Sequence, residues 1–162
     1  MSRQLAGRCT RAEAHQQLAL ALREYLGAAD QYEEAVADRM GLSRTDLRCV
    51  DLLHRRGTMT AGALAVASGL TTGAVTFLID RLEARGMVRR RRDPTDRRRV
   101  LVEMVDAAAQ QGFALHQPMI ADMRALVQRY KLDELAVIRD FLTQARQVYE
   151  AHAPLLRNGL DR

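Results

Sequence analysis

The sequence predicts a fold that is mostly α with a small β-hairpin (α+β), and three observations predict it. Apolar residues recur at steps of three and four over long stretches at both chain ends. Shorter helical patterns, punctuated by glycine, fill the middle. One arginine-rich segment instead alternates with a period of two around Asp93-Pro94-Thr95-Asp96. The 162 residues are 48% hydrophobic, enough for a real core, and with 4% aromatic residues and no Trp that core is expected to be aliphatic.

The elements follow in order. From about Arg11 to Met40, Leu18, Leu22, Tyr25, Ala29, Tyr32 and Val36 align on one stripe of a long amphipathic helix, which Gly41 ends. Ser43 and Asp46 form an S-x-x-D start signal for a second helix that carries Leu47, Val50 and Leu53 inward to about Arg56, before Gly57. Thr60 can cap a short third helix containing Leu64 and Val66, and Gly69 breaks it. Thr71 or Thr72 can cap a fourth, running to Arg85 before Gly86. Helix, tight glycine turn, helix is the helix-turn-helix pattern. In the fourth helix Val75, Leu78, Ile79 and Leu82 occupy i, i+3, i+4 and i+7, so they bury one face and leave Gly73, Thr76, Phe77 and Asp80 on the other.

After Gly86 the helical period disappears. Met87 to Arg92 and Arg99 to Met104 read as strands around a turn, with Val100, Val102 and Met104 facing a core. Such a hairpin is a wing, so residues 42–104 are expected to form a winged helix-turn-helix DNA-binding domain. Two long helices follow: Asp106 to Tyr130, striped by Phe113, His116, Ile120, Met123, Val127 and Tyr130, and Asp133 to His152, striped by Leu135, Ile138, Leu142, Ala145 and Tyr149. Pro118 is expected to kink the first of them. The three terminal stripes exceed what one small winged domain can cover. Residues 11–40 and 106–153 are therefore expected to form a helical dimerisation region that buries the surplus against a second copy.

The formal charge of +5 and pI near 9.9 favour an anionic partner. Arg85, Arg89, Arg90, Arg91, Arg92, Arg97, Arg98 and Arg99 crowd one segment, opposed there only by Asp93 and Asp96. Strand alternation puts like charges on both faces of a small hairpin, which is repulsive unless something anionic is near, and points to DNA or RNA phosphate, with a plain solvated face as the alternative; double-stranded DNA is the expected partner. Arg98 is expected at the tip, suited to a narrow A·T-rich minor groove. Asp96 either orients that guanidinium or simply forms the turn. Thr71 and Thr72 suit a phosphate at a helix start, a role compatible with ordinary capping. Gly73 and Thr76 permit close approach to base edges, and Phe77 suits a thymine methyl.

Other functions find little support. There is no glycine-rich phosphate loop, H-E-x-x-H or G-x-S-x-G, so neither catalysis nor a cofactor is expected. The four histidines are dispersed and Cys9 and Cys49 lie far apart, so no metal site or disulfide framework is expected. Cys49 reads as a buried inert thiol. Cys9, near Arg8 and Arg11, suits a redox-sensing alternative. With no signal-peptide pattern and no apolar stretch of spanning length, a soluble, cytoplasmic protein without a membrane partner is expected.

The run from Leu70 to Val88, then Arg89 to Arg92, Asp93-Pro94-Thr95-Asp96-Arg97-Arg98 and Val100-Leu101-Val102, closely resembles MarR-family regulators. The specific part is Ala63 to Met104, and the architecture agrees from about Tyr25 to Phe141. The resemblance implies a two-fold dimer built from the first and last two helices, with each fourth helix in a major groove and each wing beside a minor groove. It also implies repression of promoters through palindromic sites. Carried over by position, Thr71, Thr72, Gly73 and Thr76 match DNA-reading positions, Asp96 and Arg98 the wing's D-x-R, and Arg97 a phosphate contact. Phe77 and Arg81 complete the expected DNA-binding set. The resemblance further implies release by a small aromatic or phenolic effector, with Tyr25, Tyr32, His54, His116 and Met119 as lining candidates and core packing as the alternative for each. The chain departs from the family pattern at Phe77, where a basic residue is frequent, and at Val105 to Gln110, which lacks the usual Leu-Thr-x-x-Gly. The alternatives are a winged-helix protein-interaction dimer without promoter binding and a cysteine-based redox-sensing regulator.

Overall fold

Capping chemistry sets most of the helix boundaries in the structure, a computed structural model that describes residues 10–158 and side chains as far as Leu156. Helix α1 (Arg11–Met40) opens with a reciprocal pair: Thr10 Oγ1 accepts the Glu13 N–H at 3.2 Å and the Glu13 carboxylate accepts the Thr10 N–H at 2.8 Å. Ser43 and Asp46 do the same for α2 (Arg44–Arg56). Thr60 caps α3 (Ala61–Ser68). Thr71 caps α4 (Thr72–Ala84), its Oγ1 accepting the Ala74 N–H, which settles the choice between Thr71 and Thr72.

Helix α4 stops one residue earlier than the sequence suggests. The Gly86 N–H returns to the Glu83 carbonyl and the Met87 N–H to the Leu82 carbonyl, both at 2.9 Å, with Gly86 left-handed at φ 68°. Met87 is thereby taken from the following strand, which begins at Val88. Three strands, β1 (Met59–Thr60), β2 (Val88–Arg92) and β3 (Val100–Met104), form an antiparallel sheet in the order β1-β3-β2. The hairpin was expected, whereas β1 was not. Two residues are too few to show a period, and they pair with the distant Leu101 and Val102.

The core lies between these elements. Val75, Leu78, Ile79 and Leu82 are each at most 2% exposed, against Leu53, Leu64, Val88, Val102 and Cys49. Val66, by contrast, is 86% exposed on α3. Val36, Ala37 and Met40 join the same cluster, so the last turns of α1 belong to the core of the winged domain.

Helices α5 (Asp106–Val127) and α6 (Leu132–Asn158) complete the chain, which divides into two compact units, 1–115 and 116–162, with the boundary inside α5. Helix α5 continues through Pro118 but ends at Val127 rather than Tyr130. The Arg129 and Tyr130 N–H groups turn back to the Leu126 and Val127 carbonyls. Helix α6 runs past His152, through Pro154, to Asn158. A proline φ is itself helical, and the helix forgoes one backbone donor there. Helix α6 buries no described residue, and Val137, Phe141, Val148 and Tyr149 stand exposed along it. Among the described residues no single helix is long and apolar enough to cross a membrane.

Candidate nucleic-acid interface

Helix α4 turns Val75, Leu78, Ile79 and Leu82 inward and leaves Thr72, Gly73, Thr76 and Phe77 exposed, Phe77 to 74%. Apart from its chain neighbours and the adjoining backbone of its own helix, no protein atom lies within 4 Å of where a Cβ on Gly73 would sit, so internal packing does not require glycine there. The Thr76 hydroxyl donates to the Thr72 carbonyl at 3.0 Å. Thr71 is exposed and occupied as a cap.

Arg81, expected among the DNA contacts, pairs with Asp46 on α2. Its Nε lies 3.2 Å from Oδ2 and its Nη2 2.5 Å from Oδ1. Asp46 is 3% exposed, whereas the Arg81 side chain is 52% exposed. Burial alone would raise the Asp46 carboxyl, but hydrogen bonds from Arg81 and Ser43, together with the Arg81 charge, outweigh it and hold the carboxyl below its usual value. The pair ties α4 to α2.

The crowded wing is largely neutralised from within, which corrects the expectation that its charge demands an external anion throughout. Arg89 and Arg91 share a face of β2 opposite Glu103 on β3. Their Nε atoms sit 2.8 Å and 2.6 Å from the two Glu103 oxygens. The hydrogen bond from Arg89 leads the interactions that lower the Glu103 carboxyl, against a smaller opposing effect of burial. Arg90, on the other face, reaches back to α4, pairing with Asp80 at 2.5 Å and with Glu83, whose carboxylate also accepts the Arg90 N–H at 3.0 Å. Helix and wing are thus fastened together by charge. The Arg85 guanidinium donates to the Met40 carbonyl at 3.4 Å, and its Nη2 lies 2.6 Å from the place a Cβ on the left-handed Gly41 would occupy.

Only the tip remains. Asp93, 7% exposed, organises it through one oxygen that accepts the Thr95 hydroxyl at 2.6 Å and the Thr95 and Asp96 N–H groups at 2.9 Å and 3.4 Å. The Thr95 hydroxyl is the main reason its carboxyl is held low. The sequence reading missed this role and considered Asp93 only as a turn residue and countercharge. Asp96 accepts the Arg98 backbone N–H at 3.0 Å, and among the described residues it forms no ion pair with the Arg98 guanidinium. Of its two expected roles the structure displays the turn-forming one. Arg99 stands 3.9 Å from Asp93. Among the described residues, Arg92, Arg97 and Arg98 have no carboxylate within 4.0 Å, so the unneutralised positive charge of the wing is concentrated around its tip.

Tyr25, Tyr32 and His54 are the effector candidates that belong to the first unit. Tyr25 is 53% exposed. Tyr32 is partly buried and its hydroxyl donates to the Leu115 carbonyl at 3.4 Å; burial, then Glu33, raises its phenol. His54 lines an open depression of about 260 Å³ with Thr58, Arg89, Glu103 and Asp106, and neither tyrosine lines it. Its two carboxylates oppose an anionic ligand. His116 and Met119 are half-buried on the part of α5 that belongs to the second unit. Cys49 is fully buried and burial pushes its thiol up. Cys9 lies outside the described residues.

Comparison with known proteins agrees with this architecture. The MarR family model matches residues 42–100. An uncharacterized HTH-type transcriptional regulator of Bacillus subtilis, YcgE, is 38% identical over 126 residues, spanning 78% of this chain and 82% of its own. A MarR family protein from Bacillus stearothermophilus has a similar fold, with a TM-score of 0.67 at 18% identity over 88% of this chain and 99% of that one. So does a mutant MarR from E. coli complexed with operator DNA, with a TM-score of 0.55 at 20% identity over 85% and 99%. Helix-turn-helix, arginine wing and this relationship together place the chain in the MarR family of transcriptional regulators.

Proposed function

We propose that the chain acts as a homodimer that binds a palindromic promoter site, represses transcription there and is released by a small-molecule effector. The observation that carries DNA binding is the pairing of an exposed α4 face with a wing whose unpaired guanidiniums, Arg92, Arg97 and Arg98, gather around its tip. Thr72 and Gly73 at the start of α4 suit a phosphate, and Thr76 and Phe77 suit base edges in the major groove. Arg97 and Arg98 suit the flanking phosphates and minor groove. The similarity in fold to a regulator complexed with operator DNA supports duplex DNA as the ligand.

Homodimer formation is supported by the apolar surface left on the terminal helices, Leu18 and Leu26 on α1 and Phe141 and Tyr149 on α6 among them. Residues 11–40 and 106–153 supply that interface in this reading, and 42–104 the DNA-binding domain. The effector proposal rests on the family relationship, with Tyr25, Tyr32, His54, His116 and Met119 as the residues to probe.

Anisotropy titration against duplex DNA from upstream of the gene tests the reading. A palindromic site with half-sites about one helical turn apart, bound with steep salt dependence, is expected. Weak binding indifferent to sequence would overturn it.

A further inference from the structure

The helix-turn-helix has an unusual chemical inventory. From Met59 to Asp80, through all of α3 and α4 as far as Asp80, there is no Arg, Lys, Asn, Gln or His. These are the side chains that read guanine and adenine edges through paired hydrogen bonds. The charged side chains of α4 already have partners within the protein: Asp80 and Glu83 pair with Arg90, and Arg81 with Asp46. The Thr76 hydroxyl proton is committed to the Thr72 carbonyl, leaving that oxygen as an acceptor beside its own methyl group. What α4 offers in its second turn is Phe77, an uncharged ring 74% exposed on a helix whose opposite face is closed.

An exposed ring on a monomer surface can serve a protein partner or a nucleic acid. Charge complementarity favours DNA here, because the unpaired arginines at the wing tip belong to the same compact unit. In a major groove an aromatic ring lacking a donor discriminates by apolar contact, and the apolar group displayed there is the pyrimidine 5-methyl.

We propose that this protein reads its half-site chiefly through a pyrimidine 5-methyl group packed against Phe77, with the Thr76 methyl beside it, rather than through hydrogen bonds from α4 to base edges. The inference deepens the DNA-binding reading and rests on it. The ligand class is a thymine, or equally a 5-methylcytosine, facing the recognition helix. Specificity by methyl contact is modest, so the tip arginines supply affinity and A·T preference in the minor groove.

The test begins with a duplex selected by the full-length protein from a random pool, labelled for anisotropy. Each thymine is then replaced in turn by deoxyuridine, which removes the methyl and alters no Watson–Crick group. Burial of one methyl predicts about a fourfold loss of affinity at one position per half-site, and about fifteenfold when both half-sites are changed. At that position cytosine should bind more weakly than 5-methylcytosine by a similar factor. Phe77→Ala, at an exposed site, should abolish both differences and leave the dimer unchanged.

Uniform affinity for all the deoxyuridine duplexes would overturn the methyl readout while leaving DNA binding intact. A deoxyuridine penalty that persists in Phe77→Ala would overturn the assignment to Phe77. Failure to enrich any sequence would overturn the underlying DNA-binding reading, and this inference with it.

Discussion

Replacing Asp46 by Asn probes whether α2 holds α4 through charge. Asn preserves shape and can still accept the Ser43 N–H, but it removes the countercharge for Arg81, 35 residues away in sequence. Hydrogen bonds to a charged group contribute about 1.5–3 kcal/mol each way of counting. Arg81 is half in water, which screens the interaction, so the expected loss is about 1–2 kcal/mol at pH 7. For a chain of this length that corresponds to a fall of about 2–8 °C in Tm, compared at equal protein concentration because the stability of the proposed dimer would depend on it. The pH dependence has a definite sign. A carboxyl lowered on folding stabilises fully above its unfolded value, about 3.9, and the stabilisation disappears as pH falls through the lower folded value. The deficit of Asp46→Asn should therefore be constant near neutrality and shrink below about pH 4. Denaturant titrations of the wild type, Asp46→Asn, Arg81→Met and the double variant measure the coupling directly. Additive effects of the two substitutions, or a deficit equally large at pH 3 and pH 7, would refute the ion pair as a structural tie. The same variants separate positioning from DNA contact. A positioning Arg81 leaves the salt slope of DNA binding unchanged in Arg81→Met, whereas a phosphate contact lowers it by about one per site.

Four further outcomes follow from the geometry. Gly73→Ala meets open space within the protein, so thermal melting should show stability unchanged or raised by up to about 1 kcal/mol, while DNA titration shows weakened binding because the backbone can no longer approach as closely. Arg98→Ala should weaken DNA binding by about 1–3 kcal/mol with the protein's sedimentation coefficient unchanged. Glu103→Gln releases Arg89 and Arg91 from their shared carboxylate, and should steepen the salt dependence of DNA binding while tightening binding to unrelated sequences at low salt. Cys49 should resist alkylation by iodoacetamide at neutral pH until denaturant is added, because it is buried and its thiol is pushed up.

The local architecture was open to reading because its causes are local. The spacing of Val75, Leu78, Ile79 and Leu82 on one helical face dictates which side of α4 is buried, whatever packs against it. Ser43 with Asp46, and Gly41 and Gly86 at left-handed helix ends, act within a turn of where they stand. Where sequence reading misplaced a boundary, the competing interaction was also short: the hydrogen bond that draws Met87 back to Leu82, or the helical φ that lets α6 continue through Pro154.

The arginine segment marks the other limit. By itself the sequence determined that eight arginines crowd one stretch with two aspartates, and so that the segment is the most basic in the chain. Which of those charges remain available was decided only by tertiary structure, because the partners of Arg89, Arg90 and Arg91 are carboxylates carried in by β3 and α4. Strand register brings Glu103 across from Arg89, and packing of α4 on β2 brings Asp80 and Glu83 to Arg90. An ion pair forms over a few ångströms between residues of any sequence separation, so no local pattern announces it. Folding thereby leaves Arg92, Arg97 and Arg98, among the described residues, as the wing's guanidiniums without a carboxylate partner, gathered around its tip.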